Sequence, residues 1–196
     1  MNTDVKIRSS SDEHLDFITS VDLKDEGITN DIPGRGDFDE HRRHIQGMLD
    51  RDAAAWVIAI TDVSRPTGLI MCRFRNLAAE DAAEENQFLL RYLPRRIFPA
   101  SGRFTEIYQL WIDPAFRRRG LASMLKRHVE LESRARGIAQ IYTHTEKSNS
   151  HVVRMNLNLG YRIVREGTMW DEIERVSLVK DLQVPLKDAA SEPRFA

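Results

Sequence analysis

The sequence predicts an α/β (α+β) fold in which helices cover a mixed sheet. Three features carry that prediction. Seven short runs read as strands, and helical patterns fall between them instead of forming a separate block. The stretch Arg119–Arg136 repeats its apolar residues at the helical period, so it has one face to bury. Of the 196 residues, 41% are hydrophobic and 30% charged, enough apolar matter for a core and enough charge for a surface in water.

Taken in order, Val5–Arg8 alternates apolar and polar residues and predicts a first strand. Ser11-Asp12-Glu13 opens a helix, because a serine side chain can occupy orphan amides of the first turn. Asp22–Asp39 is acidic and interrupted by Gly27, Pro33, Gly34 and Gly36, so it reads as a loop or as a loop between two helices. A helix follows over Phe38–Arg51, with Ile45, Met48 and Leu49 inward. Ala53–Thr61 and Gly68–Phe74 are strands, and the turn chemistry of Ser64–Gly68 between them makes an antiparallel hairpin. Ala78–Leu93 carries a helical stripe of Phe88, Leu89 and Tyr92, closed by Pro94 and Pro99. Arg103–Ile112, rich in aromatic and branched residues, is the strongest strand signal, and Asp113-Pro114 stops it. In the helix Arg119–Arg136 the inward face is Leu121, Met124, Leu125, His128, Val129 and Leu131. Ser123, Lys126, Arg127, Glu130 and Arg134 fall on the opposite face, and Gly137 caps the end. A strand over Ala139–Thr145, a helix over Asn149–Leu159 capped by Gly160, and a hairpin of Tyr161–Trp170 with Arg175–Lys180 complete the order. The residues after Pro185 read as a frayed end.

Composition narrows the function. With 29 Lys+Arg against 30 Asp+Glu, the net charge is -1, which argues against a nucleic acid as the partner, since such proteins carry a basic excess. The single cysteine, Cys72, cannot form an intrachain disulfide and fits a reducing, cytoplasmic setting; it reads as a buried strand residue. The first residues, MNTDVKIRSSSDEH, lack the apolar centre of a secretory signal. No run approaches the roughly 18 apolar residues of a membrane helix. His41 and His44 lie one turn apart near Asp37 and Glu40, yet no metal site is expected there. Trp56, Trp111 and Trp170 read as packing or pocket-wall residues.

The informative segment is Leu110–Ala122, LWIDPAFRRRGLA. A strand ends, a short arginine-rich loop with one glycine follows, and a helix begins. A helix N-terminus offers unpaired N–H groups and a partial positive charge, and phosphates bind there. Gly120 removes the Cβ that would hold a pyrophosphate away from the backbone, and Ala122 keeps the first turn open. An arginine run before a helix is often only a solvated helix start. The segment is not a P-loop, and with one glycine it is not the dinucleotide fingerprint.

Arg117-x-x-Gly120-x-Ala122, preceded by Ile112-Asp113-Pro114, resembles motif A of the GNAT acetyltransferases, [Gln/Arg]-x-x-Gly-x-[Gly/Ala]. Downstream, Asn149 followed by Leu159-Gly160-Tyr161 resembles the family's next motif. The resemblance implies a GNAT fold over residues 1–184, with a flexible tail at 185–196. It implies a central sheet of six to seven strands whose two middle strands, Arg103–Ile112 and Ala139–Thr145, splay apart. Acetyl-CoA would lie in the gap as cosubstrate, with no metal. Its pantetheine arm would pair with the backbone at Leu110, Trp111 and Ile112. Its pyrophosphate would sit on Arg117, Arg118, Arg119, Gly120, Leu121 and Ala122, and Asn149 would contact the arm. The implied reaction is direct transfer of the acetyl group to a primary amine of a small molecule, peptide or protein. A homodimer is compatible with the resemblance.

One position departs from the pattern. The family's usual acid is a tyrosine four residues before the Leu-Gly-[Phe/Tyr] glycine, and this chain has Asn156 there. An amide cannot give up a proton, though it can donate a hydrogen bond to the leaving sulfur. Tyr161 and Tyr142 are substitutes for the acid. The candidate base is Glu106, which alternation places with Tyr108 and Leu110 unless a bulge intervenes; His144 is the second candidate. The acidic stretch Asp22, Asp25, Glu26, Asp31, Asp37, Asp39 and Glu40 would draw a cationic amine. The replacement at Asn156 keeps a second reading open, a GNAT-like module that binds acyl-CoA without turnover.

Overall fold

Strand β1 (Val5–Ser9) pairs with β2 (Ala53–Ile60), and β2 forms the expected hairpin with β3 (Gly68–Asn76). In this computed structural model the described residues are 5–25, 27–28, 36–60, 63, 65–80 and 83–182. The elements that follow are β4 (Arg103–Ile112), β5 (Gln140–Glu146), β6 (Arg162–Thr168) and β7 (Glu174–Asp181). They make a seven-stranded sheet in the order β1-β2-β3-β4-β5-β7-β6, antiparallel throughout except for the parallel pair β4–β5. The helices are α1 (Leu15–Asp25), α2 (Gly36–Arg51), α3 (Ala83–Tyr92), α4 (Leu121–Ala135) and α5 (Ser150–Asn158). The acidic stretch thus contains the end of α1 and the start of α2. Glu26, Asp31 and the residues beyond 182, including the expected tail, lie outside the described residues.

Alternation along β2 sorts the core onto two faces. Trp56, Ile58 and Ile60 pack with Leu121, Leu125 and Val129 of α4 and with Val153 of α5. Ala55 and Val57 pack with Leu15, Ile18 and Val21 of α1 and with Ile45 and Met48 of α2. Leu89 of α3 joins the second side, against Tyr142 of β5 and Val179 of β7. Helices therefore cover both faces, and each apolar face of the sheet is removed from water.

Three expectations need correction. The helix expected from Ala78 starts at Ala83. The helix expected from Arg119 starts at Leu121, because Arg118 (φ 62°) and Gly120 (φ 79°) are left-handed and cannot continue it. Its faces are also turned. Lys126, Glu130 and Ser133 are buried, whereas Met124 and Leu131 are exposed, Leu131 to 62%. Apolar periodicity finds the side of α4 that meets the sheet. It misses the flank covered by Tyr161 and Lys180, where Lys180 donates to Glu130 at 2.6 Å and the Lys126 ammonium lies over the Tyr161 ring.

Candidate active site

The site begins where two strands part. β4 and β5 pair only at Thr105↔Ile141 and Glu106↔Tyr142. From Ile107 to Ile112 the edge of β4 that faces β5 has no strand partner, which leaves backbone N–H and C=O groups turned into a gap. A cleft of about 1120 Å³ opens there, lined from β4, β5, α1, α3, α5 and the β6–β7 turn. The central splay implied by the resemblance is present.

A bulge sets which β4 side chains face which way. Met71 pairs with Gln109 and Cys72 with Ile107, so Tyr108 is the extra residue. Tyr108 packs with Trp111 on the α1–α2 side, and Gln109 donates to Asp22 of α1 at 3.0 Å. Leu110 turns to the α4 side with Ile107 and Ile112. The expectation that Leu110 shares a side with Glu106 is therefore corrected.

At the mouth of the gap lies the loop 113–120. Asp113 accepts from the Ala115 N–H at 2.9 Å and from Arg65 at 2.5 Å, and both hold its carboxyl below the usual range, the Ala115 N–H most. Arg117 donates through Nε to the Ile112 carbonyl at 3.1 Å, so it ties the loop to the end of β4. Arg119 rests over the Phe116 ring. A Cβ built on Gly120 would meet nothing within 4 Å, so space stands open over the N-terminus of α4. Left-handed residues at 118 and 120 curl this backbone into a concave turn of the kind that binds anions.

On the α4–α5 side of the cleft, three buried polar atoms lack hydrogen-bond partners among the described residues: Lys126 Nζ, Asn149 Oδ1 and Asn156 Oδ1. All three residues line the cleft. Asn149 holds the N-cap position of α5 without using its side chain as a cap. Asn156 is 1% exposed. Orphaned buried polar atoms are costly in a folded protein, and a cleft that collects three of them has the chemistry of a ligand site. Together with the open backbone at Gly120 and the unpaired edge of β4, they fit a ligand with a polar arm and a phosphate end.

On the α1–α3 side stands Glu106. Its carboxylate accepts from Arg75 at 3.2 Å, and Arg75 also reaches Glu85 at 3.3 Å and Asn86 at 3.0 Å. Burial raises the Glu106 pKa above the ordinary value, and Arg75 and Arg73 pull against it. Asp22, expected in the acidic stretch that would draw a cationic amine, is buried and held by His41 at 2.5 Å and by Gln109. Asp22 and Asp25 line the cleft, while Asp37, Asp39 and Glu40 sit exposed on the first turn of α2 and do not. His144 lines the cleft beside Trp170, and burial together with Arg175 pushes its pKa down to about 4. Burial raises the phenols of Tyr142 and Tyr161 far above their ordinary value. Burial also pushes the Cys72 thiol up to about 12. Among the described residues no group of three or more His, Cys, Asp or Glu could hold a metal ion, and no helix is long and apolar enough to cross a membrane.

The structure thus brings Glu106, Leu110, Asn149 and Asn156 to one cleft, whereas Trp111, Ile112 and the residues from Arg117 to Ala122 are not among those that line it; they follow in the chain at the end of β4. The residues that sequence reasoning missed are Lys126, Arg75, Glu84, Glu85 and Asp171. Lys126 and Glu130 read as an ordinary exposed i, i+4 pair. Only the packing of α4 against Tyr161 reveals otherwise.

Comparison with known proteins agrees with this geometry. No curated protein sequence matches the chain. Among solved structures, NAA60 of Arabidopsis thaliana in complex with acetyl-CoA superposes with a TM-score of 0.64 at 16% identity, covering 91% of this chain and 98% of that one. Spermidine N-acetyltransferase from Vibrio cholerae, in complex with CoA and spermine, gives 0.63 at 14% identity over 90% and 95%. The ribosomal-protein-S18-alanine N-acetyltransferase from Escherichia coli gives 0.59 at 11% identity over 96% and 100%. At these identities the likeness establishes the fold. The sequence profile of the acetyltransferase (GNAT) family matches residues 26–161, more than half of the chain. This protein therefore belongs to the GNAT acetyltransferase family and is an acyltransferase.

Proposed function

We propose that the protein transfers the acetyl group of acetyl-CoA directly to a primary amine of a cationic acceptor. The observation that carries this reading is the parting of β4 and β5 beyond Glu106, with the open turn at Gly120 at its mouth. The cosubstrate supplies an acetyl group activated as a thioester. Backbone N–H groups at Gly120, Leu121 and Ala122 bind the pyrophosphate, aided by the charge of Arg118 and Arg119. Arg117 contributes by holding the loop to β4. The free edge of β4 at Leu110, Trp111 and Ile112 pairs with the pantetheine arm as an added strand would, and an N–H there polarises the acyl carbonyl. Asn149 binds the arm. Asn156 donates a hydrogen bond to the leaving sulfur.

Glu106 faces the acceptor side and takes the proton of the attacking amine, directly or through water. Its raised pKa makes it a stronger base than an ordinary glutamate. The lowered pKa of His144 makes it a weak base by comparison. Seven carboxylates and four basic side chains line the cleft, so the acceptor end has a net negative field that draws a cation. Structural neighbours act on such groups: one was solved with spermine, and another carries alanine N-acetylation in its name.

Calorimetric titration of acetyl-CoA and of CoA into the wild type and Gly120→Glu tests the reading. Tight binding by the wild type, lost in a folded variant, is the expected result, followed by thiol release with a cationic amine. No binding by folded wild type would sink it. Asn156 in place of the usual acid favours one other reading, a module that binds without turnover. That reading wins if acetyl-CoA binds and no amine of any class releases thiol.

A further inference from the structure

We propose that Lys126 is the acid that this chain uses in place of the missing tyrosine, giving its proton to the sulfur that leaves the acyl group. The inference rests on the acetyltransferase reading above and adds a residue to it. Lys126 is 1% exposed, its Nζ has no hydrogen-bond partner among the described residues, and it lines the cleft with Asn149 and Asn156. Its ammonium lies over the Tyr161 ring, 4.7 Å from the centroid, and the Tyr161 N–H donates to the Asn156 carbonyl at 3.1 Å. Lys126 is therefore adjacent to the turn of α5 that carries the replaced residue.

The charges around it leave it unneutralised. Glu130, one turn along α4, is taken by Lys180 of β7 at 2.6 Å and reaches Arg134 at 4.0 Å. Tyr161 offers a ring face, the α5 residues that line the cleft, Val152 and Asn156, carry no charge, and His144 and Glu106 line other walls of the cleft. A buried ammonium without an acceptor favours giving up its proton, and burial lowers the pKa of Lys126 to about 7. A free thiol has a pKa of about 8.5, so transfer from this lysine to a thiolate runs downhill. The sheet also separates the two proton tasks. Glu106 stands on the α1–α3 side of the gap, where the amine loses its proton, and Lys126 on the α4–α5 side, where the thiol forms. The C–S bond breaks with its electron pair on sulfur, an N–H bond of Lys126 breaks, and an S–H bond forms. The neutral lysine regains its proton from solvent, and the proton taken by Glu106 returns there.

The test compares the wild type with Lys126→Met and Lys126→Arg. Lys126→Met fills the same space without charge, and Lys126→Arg keeps the charge with no proton to give. The first readout is ionisation of enzyme-bound CoA, followed by the ultraviolet thiolate band against pH, with desulfo-CoA as the blank. The bound thiol should ionise at lower pH in Lys126→Arg, which keeps its charge, than in Lys126→Met and in the wild type, whose lysine is already neutral where a thiol ionises. The second is turnover. Both variants should lose on the order of a hundredfold in kcat, a usual share for acid–base catalysis, with KM for acetyl-CoA little changed. The wild-type rate should fall at basic pH through a limb that both variants lack. Identical thiol ionisation in Lys126→Arg and Lys126→Met would overturn the proposal, because a charge at position 126 would then not reach the sulfur. So would a raised KM at unchanged kcat, or an acetyl group found on Lys126 itself. Failure of the wild type to bind CoA would instead refute the acetyltransferase reading.

Discussion

Glu106 and Lys126 show how burial shifts the titration of ordinary charged residues, upward for the carboxyl and down to about 7 for the lysine. For Glu106, replacing the base by its amide, Glu106→Gln, should lower kcat by about a hundredfold while leaving CoA affinity intact. The acidic limb of the rate profile should lie above the ordinary glutamate value of 4.5, because burial favours the protonated form. Arg75→Met should move that limb higher still, since Arg75 pulls the other way. Lys126 makes a prediction about stability. Its pKa falls from 10.5 to about 7 through burial. Below pH about 7 the lysine is charged in both states, and the folded protein bears the full penalty of burying it. Between about 7 and 10.5 the folded protein has released the proton that the unfolded chain still holds, so stability rises with pH across that window. Lys126→Met should therefore raise the melting temperature most below neutral pH, with the gain shrinking toward pH 10. The size is a few kcal/mol, on the order of 1.4 kcal/mol per pKa unit. A variant less stable than wild type at pH 6 would refute this account.

At the level of elements, two glycines divide binding from stability. Gly120 is left-handed with open space above it, so a side chain there costs only about 1–2 kcal/mol of backbone strain and blocks the cradle. Gly120→Glu should stay folded and lose CoA binding. Gly68 is the reverse case. A Cβ there would meet Ile112 Cδ1 at 2.6 Å, Ile58 Cγ2 at 2.7 Å and the Trp111 carbonyl oxygen at 3.2 Å. Gly68→Ala should cost on the order of 1–3 kcal/mol in a urea melt, the usual range for overpacking. Gly68 pairs with Ile112, so the variant should also disturb the end of β4 and weaken CoA binding as a secondary effect. The strands and most helices were legible because each has one apolar face with a regular period. The β4 bulge was not, since an extra residue at Tyr108 leaves no mark in an apolar pattern and is set by pairing with β3. The buried flank of α4 was hidden for the same reason. Lys126 and Glu130 look solvated until Tyr161 and Lys180, far away in the sequence, close over them.

For the whole molecule, the net charge of -1 conceals an uneven distribution. The arginine-bearing loop 117–119 at the mouth of the cleft is exposed, and the cleft itself carries more carboxylates than bases. On the proposed reading, phosphate and amine would thereby be sorted to different ends of the site. Raising ionic strength should increase KM for a dicationic amine more than for a neutral one, because screening shortens the reach of the cleft's field to about 8 Å at physiological salt. Equal KM changes for both acceptors would remove the electrostatic case for a cationic substrate.

The sequence by itself determined the element order, the family and the turn between β4 and α4 to which phosphate binding is proposed, since these depend on residues adjacent in the chain: a strand, a glycine and a helix start. Tertiary structure decided what the cleft can do. It pairs Glu106 with Arg75 from the neighbouring strand, buries Asp22 against Gln109, and leaves Lys126 unpartnered beside the turn that carries Asn156. Desolvation and charge pairing act through space, and the residues that set them are separated by 31 positions for Glu106 and by 87 for Asp22. Local pattern reports which residues are present, and only the packed sheet reports which of them have lost their water.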